Sequence, residues 1–283
     1  MKDLDTVIAE ALDVLKRGGL ILYPTDTVWG IGCDATNEAA VQKVFALKRR
    51  AEAKSLVLLA CNLDMVARYV RKIPPIAVDL VEVNDAPMTI VYPGAIVPGA
   101  LRLRAAGVGT VPEGRATRGT EAGGQSSDGG VSPKGQYPSP AGFGLAPSVV
   151  AADGSVGIRI PRAVATREDD RPVSAGATFC NRLIYRLRRP LVSTSANISG
   201  EAAPSDFAAI SPEIRAGVDY VVPAALSVPA GPRSAAPSGA VMPGFDRASR
   251  TPTTVVRFDD SATGRPSQIL KLGLDGEVEI IRP

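Results

Sequence analysis

Histidine is absent from all 283 residues. That absence removes Ser-His-Asp and Cys-His nucleophilic sites, the HExxH metalloprotease pattern and His-ligated zinc. Chemistry is left to Lys, Arg, Ser, Thr, Asn, carboxylates or a bound metal. Cysteine is nearly as scarce: Cys33, Cys61 and Cys180 are odd in number and form no CxxC pair, which argues against a disulfide framework or a thiolate metal site. No apolar run approaches membrane-spanning length, and the first residues, MKDLDTVIAE, are acidic and amphipathic where a signal peptide is basic and then apolar. A cytoplasmic protein without membrane contact is expected. Both common nucleotide signatures are missing, since no GxxxxGK precedes Ser or Thr and no GxGxxG leads from a strand into a helix. With 32 Lys and Arg against 29 Asp and Glu, the net charge of +3 is too small to predict nucleic-acid binding, although it leaves room for a local basic groove.

What is present is a chain with 45% hydrophobic residues, enough for a substantial core. Leu4, Val7, Ile8, Ala11, Leu12 and Leu15 follow one helix face, stopped by Gly18 and Gly19. A buried strand is expected over Leu20 to Tyr23, a loop over Pro24 to Asp34, and then a helix capped by Asn37 and ending in Lys48-Arg49-Arg50. Strands near 55–60, 88–92 and 156–160 alternate with helices near 63–69, 75–83 and 179–187. Further strands are expected at Leu191-Val192, Thr253 to Phe258, Ile269 to Leu272 and Val278 to Ile281, the last two joined at Asp275-Gly276. Alternating strands and helices indicate an α/β fold. A segment from about 96 to 143 holds 11 of the 28 glycines in 48 residues without any helical or strand period. It is expected to be a mobile surface insertion, as are shorter stretches at about 163–177 and 224–250. The whole chain, 1–283, reads as one catalytic domain.

Three polar clusters could carry chemistry. Tyr23 to Gly32 follows a strand with hydroxyls and closely spaced glycines, suited to a small polar ligand; equally, its Thr and Asp side chains could only satisfy local backbone. Lys48 and Arg50 lie at a helix end, where the helix dipole favours solvated cations, and the helical period makes both solvent-facing. Ser193, Thr194, Ser195 and Asn197 follow an apolar strand, where open α/β sheets bind ligands, or else form a polar turn.

Taken in order, YPTDTVWGIGCD at 23–34, LKRR at 47–50, GSVGIRIP at 154–161 and LVSTSANISG at 191–200 resemble the YrdC-like family of threonylcarbamoyl-AMP synthases. The hallmark of that family is a Lys-x-Arg pair and a Ser-x-Asn pair facing one cavity, here Lys48, Arg50, Ser195 and Asn197. The resemblance implies an open, twisted, mainly parallel sheet with flanking helices. It implies that ATP, L-threonine and bicarbonate or carbon dioxide condense to threonylcarbamoyl-adenylate with release of pyrophosphate, and that a partner complex then transfers the threonylcarbamoyl group to tRNA. It gives Lys48, Arg50, Ser195 and Asn197 the catalytic roles, Thr25, Arg159 and Thr253 to L-threonine, and Ser155, Ser193 and Lys271 to the nucleotide beside the catalytic four. Mg²⁺ would bridge the ATP phosphates with no protein ligand.

Two departures stand out. Ala51-Glu52-Ala53-Lys54 follows the Lys-x-Arg pair where the family often has Pro, and the insertion at 96–143 interrupts a segment whose flanks would otherwise join. A non-catalytic RNA-binding module using the same basic concavity is the competing expectation, with direct tRNA contact. A carbamoyl-adenylate activity in metal-centre maturation is a third, for which the usual zinc motifs are missing.

Overall fold

The computed structural model describes residues 2–50, 56–84, 86–98, 143–161, 174–229, 253–264 and 266–283. The expected insertions therefore lie largely outside the described residues, as 99–142, 162–173 and 230–252. The elements, in chain order, are α1 (Leu4–Lys16), β1 (Ile21–Tyr23), β2 (Gly30–Gly32), α2 (Glu38–Lys48), β3 (Val57–Leu59), α3 (Leu63–Tyr69), α4 (Pro75–Val83), β4 (Met88–Tyr92), β5 (Val156–Arg159), α5 (Ala175–Leu187), β6 (Leu191–Ser195), α6 (Pro212–Ala216), β7 (Tyr220–Val221), β8 (Ala225–Pro229), β9 (Thr253–Arg257), β10 (Gln268–Leu272) and β11 (Val278–Arg282).

Local chemistry accounts for most of the helix starts. The Asp3 carboxylate accepts from the Thr6 amide at α1, and Asn37, Asn62, Ser174 and Ser211 cap α2, α3, α5 and α6 in the same way. On α1 the buried residues Val7, Ile8, Ala11, Val14 and Leu15 recur at helical spacing, and this helix packs against α5.

Among the described residues nine strands form one open sheet, in the order β11-β10-β4-β5-β3-β6-β2-β1-β7, and β8 pairs with β9 in a separate ribbon. The α/β class, the open sheet and the flanking helices agree with expectation. The sheet is nevertheless mixed: β1 with β7, β10 with β4 and β3 with β5 are parallel, while the other five neighbouring pairs are antiparallel. Short apolar runs report burial on a sheet and carry no strand direction, so a mainly parallel expectation had no residue-level support.

Other differences have equally local causes. Gly30–Gly32 is a buried strand inside the expected loop, because backbone pairing to β1 and β6 outweighs the low strand propensity of glycine. Helix α5 starts at Ala175, four residues before the expected start, on the Ser174 cap. Residues 225–229, assigned to an insertion, form β8, and α6 and β7 were too short for a periodic signal.

Strand alternation divides the sheet. Leu58, Ile90, Ile158, Val192 and Leu270 belong to the buried core. Their neighbours Val57, Val91, Ser193 and Ile269 are only partly covered, so the opposite face of the same strands is left as the floor of a cleft.

Candidate functional site

The turn between β1 and β2 is organised by one hydroxyl. Thr25 Oγ1 accepts from the amides of Thr27 and Val28, donates to the Val28 carbonyl at 2.7 Å and lies 2.9 Å from Thr27 Oγ1. The local satisfaction that was one expectation for this turn is thus present, and Thr25 and Thr27 also line a cavity of about 260 Å³. The turn is held from behind by α5: a Cβ added to Gly176 would lie 2.1 Å from the Thr25 carbonyl oxygen, so only glycine permits this approach. From the front, Thr263 and Gly264 donate their amides to the carbonyls of Asp26 and Thr27.

The Lys-x-Arg pair is split by backbone geometry. Arg49 adopts a left-handed conformation, φ 50°, and ends α2, with its amide and that of Arg50 turned back to the carbonyls of Ala46 and Phe45. The helical period therefore stops at residue 48, and the expectation of two solvent-facing cations is incorrect. Lys48 is 1% exposed, and its Nζ donates to the backbone carbonyls of Ser195 at 2.5 Å and Asn197 at 2.6 Å. The Ser199 amide returns a bond to the Lys48 carbonyl. Burial pushes the Lys48 pKa down to about 8, helped by the nearby Arg50 charge and opposed by Glu201. Arg50, past the helix end, lines the cavity with Ser193 and Ser195, and its own pKa is lowered by burial. Asn197 turns its amide to the carbonyls of Ile198 and Glu201, and its buried Oδ1 has no hydrogen-bond partner. Lys48, Arg50, Ser195 and Asn197 thus gather in one place, but as a braced turn behind a wall of Arg50 and Ser195.

Sheet register builds the remainder. Arg159 on β5 pairs with Thr89 on β4, Thr89 with Ile269 on β10, and Ile269 with Arg282 on β11. Residues in one row across a sheet share a face, so both arginines project from the cleft side, and both line the cavity. Arg159 is buried, with Nη1 3.0 Å from Asp26 Oδ1 and 3.1 Å from Thr27 Oγ1, and its Nε lacks a hydrogen-bond partner. Arg282 donates Nε and Nη2 to the Ser267 carbonyl, while Ser267 Oγ lies 2.7 Å from Thr89 Oγ1. Burial lowers the Arg282 pKa, and proximity to Arg159 lowers it further. Arg282 and Ser267 escaped the sequence reading, because the β10–β4 pairing that carries them to the cleft joins residues far apart in the chain.

Ser155 and Lys271 meet through Asp153, which accepts from Ser155 Oγ at 2.6 Å and from Lys271 Nζ at 2.9 Å. These two bonds hold the Asp153 carboxyl well below its usual range. Ser155 precedes β5, at the opposite end of that strand from Arg159. Thr253 lies on β9 of the separate ribbon, with Pro229 as its ladder partner. Among the described residues no group of three or more Cys, Asp or Glu could hold a metal ion, and no helix is long and apolar enough to cross a membrane.

Known proteins match this chain. The Sua5/YciO/YrdC family model, described as "Telomere recombination", matches residues 13–112 and 139–235. The chain belongs to that family. The Sua5/YciO/YrdC match includes the Thr25 turn, the Lys-x-Arg pair, Arg159 and the Ser-x-Asn turn, and it stops before Ser267 and Arg282. A threonylcarbamoyl-AMP synthase of Halorhodospira halophila is 37% identical over 89 residues, 31% of this chain and 47% of that protein. The chain thus spans about half the length of this curated relative. Among solved structures, a variant of P. abyssi Sua5 has a TM-score of 0.57 at 16% identity, covering 98% of this chain and 56% of the other. P. abyssi Sua5 complexed with L-threonine has a TM-score of 0.51 at 19% identity, covering 76% and 45%. At such identities these structures bear on the fold alone.

Proposed function

We propose that this chain catalyses ATP-dependent formation of L-threonylcarbamoyl-AMP from L-threonine and bicarbonate or carbon dioxide, the first step of threonylcarbamoyl-adenosine formation in tRNA. The observation that carries the reading is the convergence of Arg50, Arg159 and Arg282 with the hydroxyls of Ser193 and Ser195 on one cavity, with Asp26 paired to Arg159. Such a site suits anionic reactants that must be aligned and partly neutralised. It is supported by the synthase name of the Halorhodospira relative and by the L-threonine complex of P. abyssi Sua5.

In this mechanism the threonine amine is carboxylated to a carbamate, a carbamate oxygen attacks the α-phosphorus of ATP, and the bond to the departing pyrophosphate breaks. Arg50, Ser193 and Ser195 hold the phosphates, and Thr25 and Arg159 hold threonine. Lys48 and Asn197 keep the Ser195 turn in shape. Ser155 and Lys271 lie on the nucleotide side around Asp153, and Thr253 contributes to the threonine side. Mg²⁺ would supply charge neutralisation from the phosphate oxygens of ATP; the sparse carboxylates of the cleft fit a cation carried by the substrate. The adenylate passes to a downstream tRNA threonylcarbamoyl-transferring complex in the cytoplasm.

Pyrophosphate release measured with ATP, bicarbonate and each amino acid in turn tests the proposal. Release should require threonine. Folded protein that releases none with threonine would leave the RNA-binding reading in its place.

A further inference from the structure

The row Arg159-Thr89-Ile269-Arg282 crosses four adjacent strands. Its two ends are three strand spacings apart, about 14 Å between backbones, and Arg159, Ile269 and Arg282 line the same cavity. Arg282 is fixed from one side only: Nε and Nη2 grip the Ser267 carbonyl, and among the described residues Nη1 makes no hydrogen bond. Arg159 is fixed by Asp26 and Thr27 and keeps a buried Nε without a partner. Both guanidinium groups line the one cavity, Asp26 is paired to Arg159, and among the described residues no salt bridge offsets Arg282, which leaves the pair with one unit of uncompensated positive charge. A triphosphate needs more than that, whereas a single carboxylate matches it, and the planar fork of arginine suits a planar oxyanion.

We propose that Arg282, acting with Arg159, forms a two-sided clamp for the α-carboxylate of the amino-acid substrate, and that Ser267 and Thr89 preset its far jaw. The clamp deepens the threonine-dependent reading of the same cavity and rests on it. It adds a residue beyond the matched family segments.

The test is direct binding of L-threonine and of L-threoninamide, its neutral carboxamide, by titration calorimetry on the full chain. Wild type should prefer threonine, and Arg282→Gln should weaken threonine by roughly 10- to 100-fold, the loss expected for a hydrogen bond to a charged group. Binding of threoninamide and of ATP should stay within about twofold of wild type, with Arg282→Lys intermediate for threonine. Unchanged threonine affinity in Arg282→Gln would overturn the clamp. Equal losses for threonine and threoninamide in both variants would also overturn it, by making Arg282 a structural prop for Ser267. Equal binding of both ligands, or of neither, by wild type would do the same. The catalytic reading fails separately: wild type that prefers threonine but releases no pyrophosphate retains the clamp and loses the synthase.

Discussion

Lys48 shows how far one residue can depart from what its position in a sequence suggests. Read as part of a helix end, it belongs in water; in the structure its ammonium is buried against the carbonyls of Ser195 and Asn197. Its folded-state pKa of about 8 lies below its ordinary value of 10.5, so between these values the unfolded chain binds more protons than the folded one. The cost of burying the charge is therefore full below pH 8 and relieved as pH rises towards 10.5. Lys48→Met leaves both carbonyls without a donor, and at pH 7 it should destabilise the protein by about 1–3 kcal/mol. The stability difference between wild type and Lys48→Met, from urea titrations at pH 7 to 10, should widen above pH 8. A difference that is flat or shrinks would show that the ammonium is not desolvated. Ser193 and Ser195 were legible as a polar run directly after an apolar strand, and Arg159 only through the family resemblance of GSVGIRIP. Arg282 was not, because its meaning comes from a cross-strand row that no local spacing encodes.

At the scale of elements, the sequence displays capping and apolar periodicity well and direction poorly. Helices α1 to α4 begin and end close to the expected residues, because Asp3, Asn37, Asn62 and Pro75 act within one turn of themselves. Strands of three to five residues have no comparable marker, which is why β2 was missed and the mixed sheet was not foreseen. The approach of α5 to the Thr25 turn depends on a single missing methyl group. Gly176→Ala would set that methyl against the Thr25 carbonyl, and the strain should cost about 1–3 kcal/mol. Because the turn lines the cavity, the same change should weaken amino-acid binding more than ATP binding. Thermal unfolding and calorimetry on this variant decide the point, and native stability with native threonine affinity would exclude the contact as a constraint.

For the molecule as a whole, the boundary of the long glycine-rich stretch is tighter than its composition suggested. Ile96 accepts from the Leu145 amide and donates its own amide to the Tyr69 carbonyl, and Phe143 stacks on Tyr69 at 4.8 Å. Pro98 lies so close to Gly144 that a Cβ there would be 2.7 Å from the proline ring. The two ends flanking 99–142 are therefore adjacent, and a three-residue Gly-Ser-Gly link should replace that segment with a change in melting temperature of only a few degrees. Removing 96–143 instead would strip the Tyr69 contacts and should lower the melting temperature further. Equal behaviour of the two deletions would show that those contacts contribute little.

The row that joins Arg159 to Arg282 has a consequence for how the protein comes into being. A ribosome delivers β5 long before β11, so a nascent chain can already display one wall of the cleft while the opposite wall is still unmade. Under the proposed clamp, binding of an amino acid across both walls would have to wait until β11 has left the exit tunnel and paired with β10, so the ligand would favour that pairing.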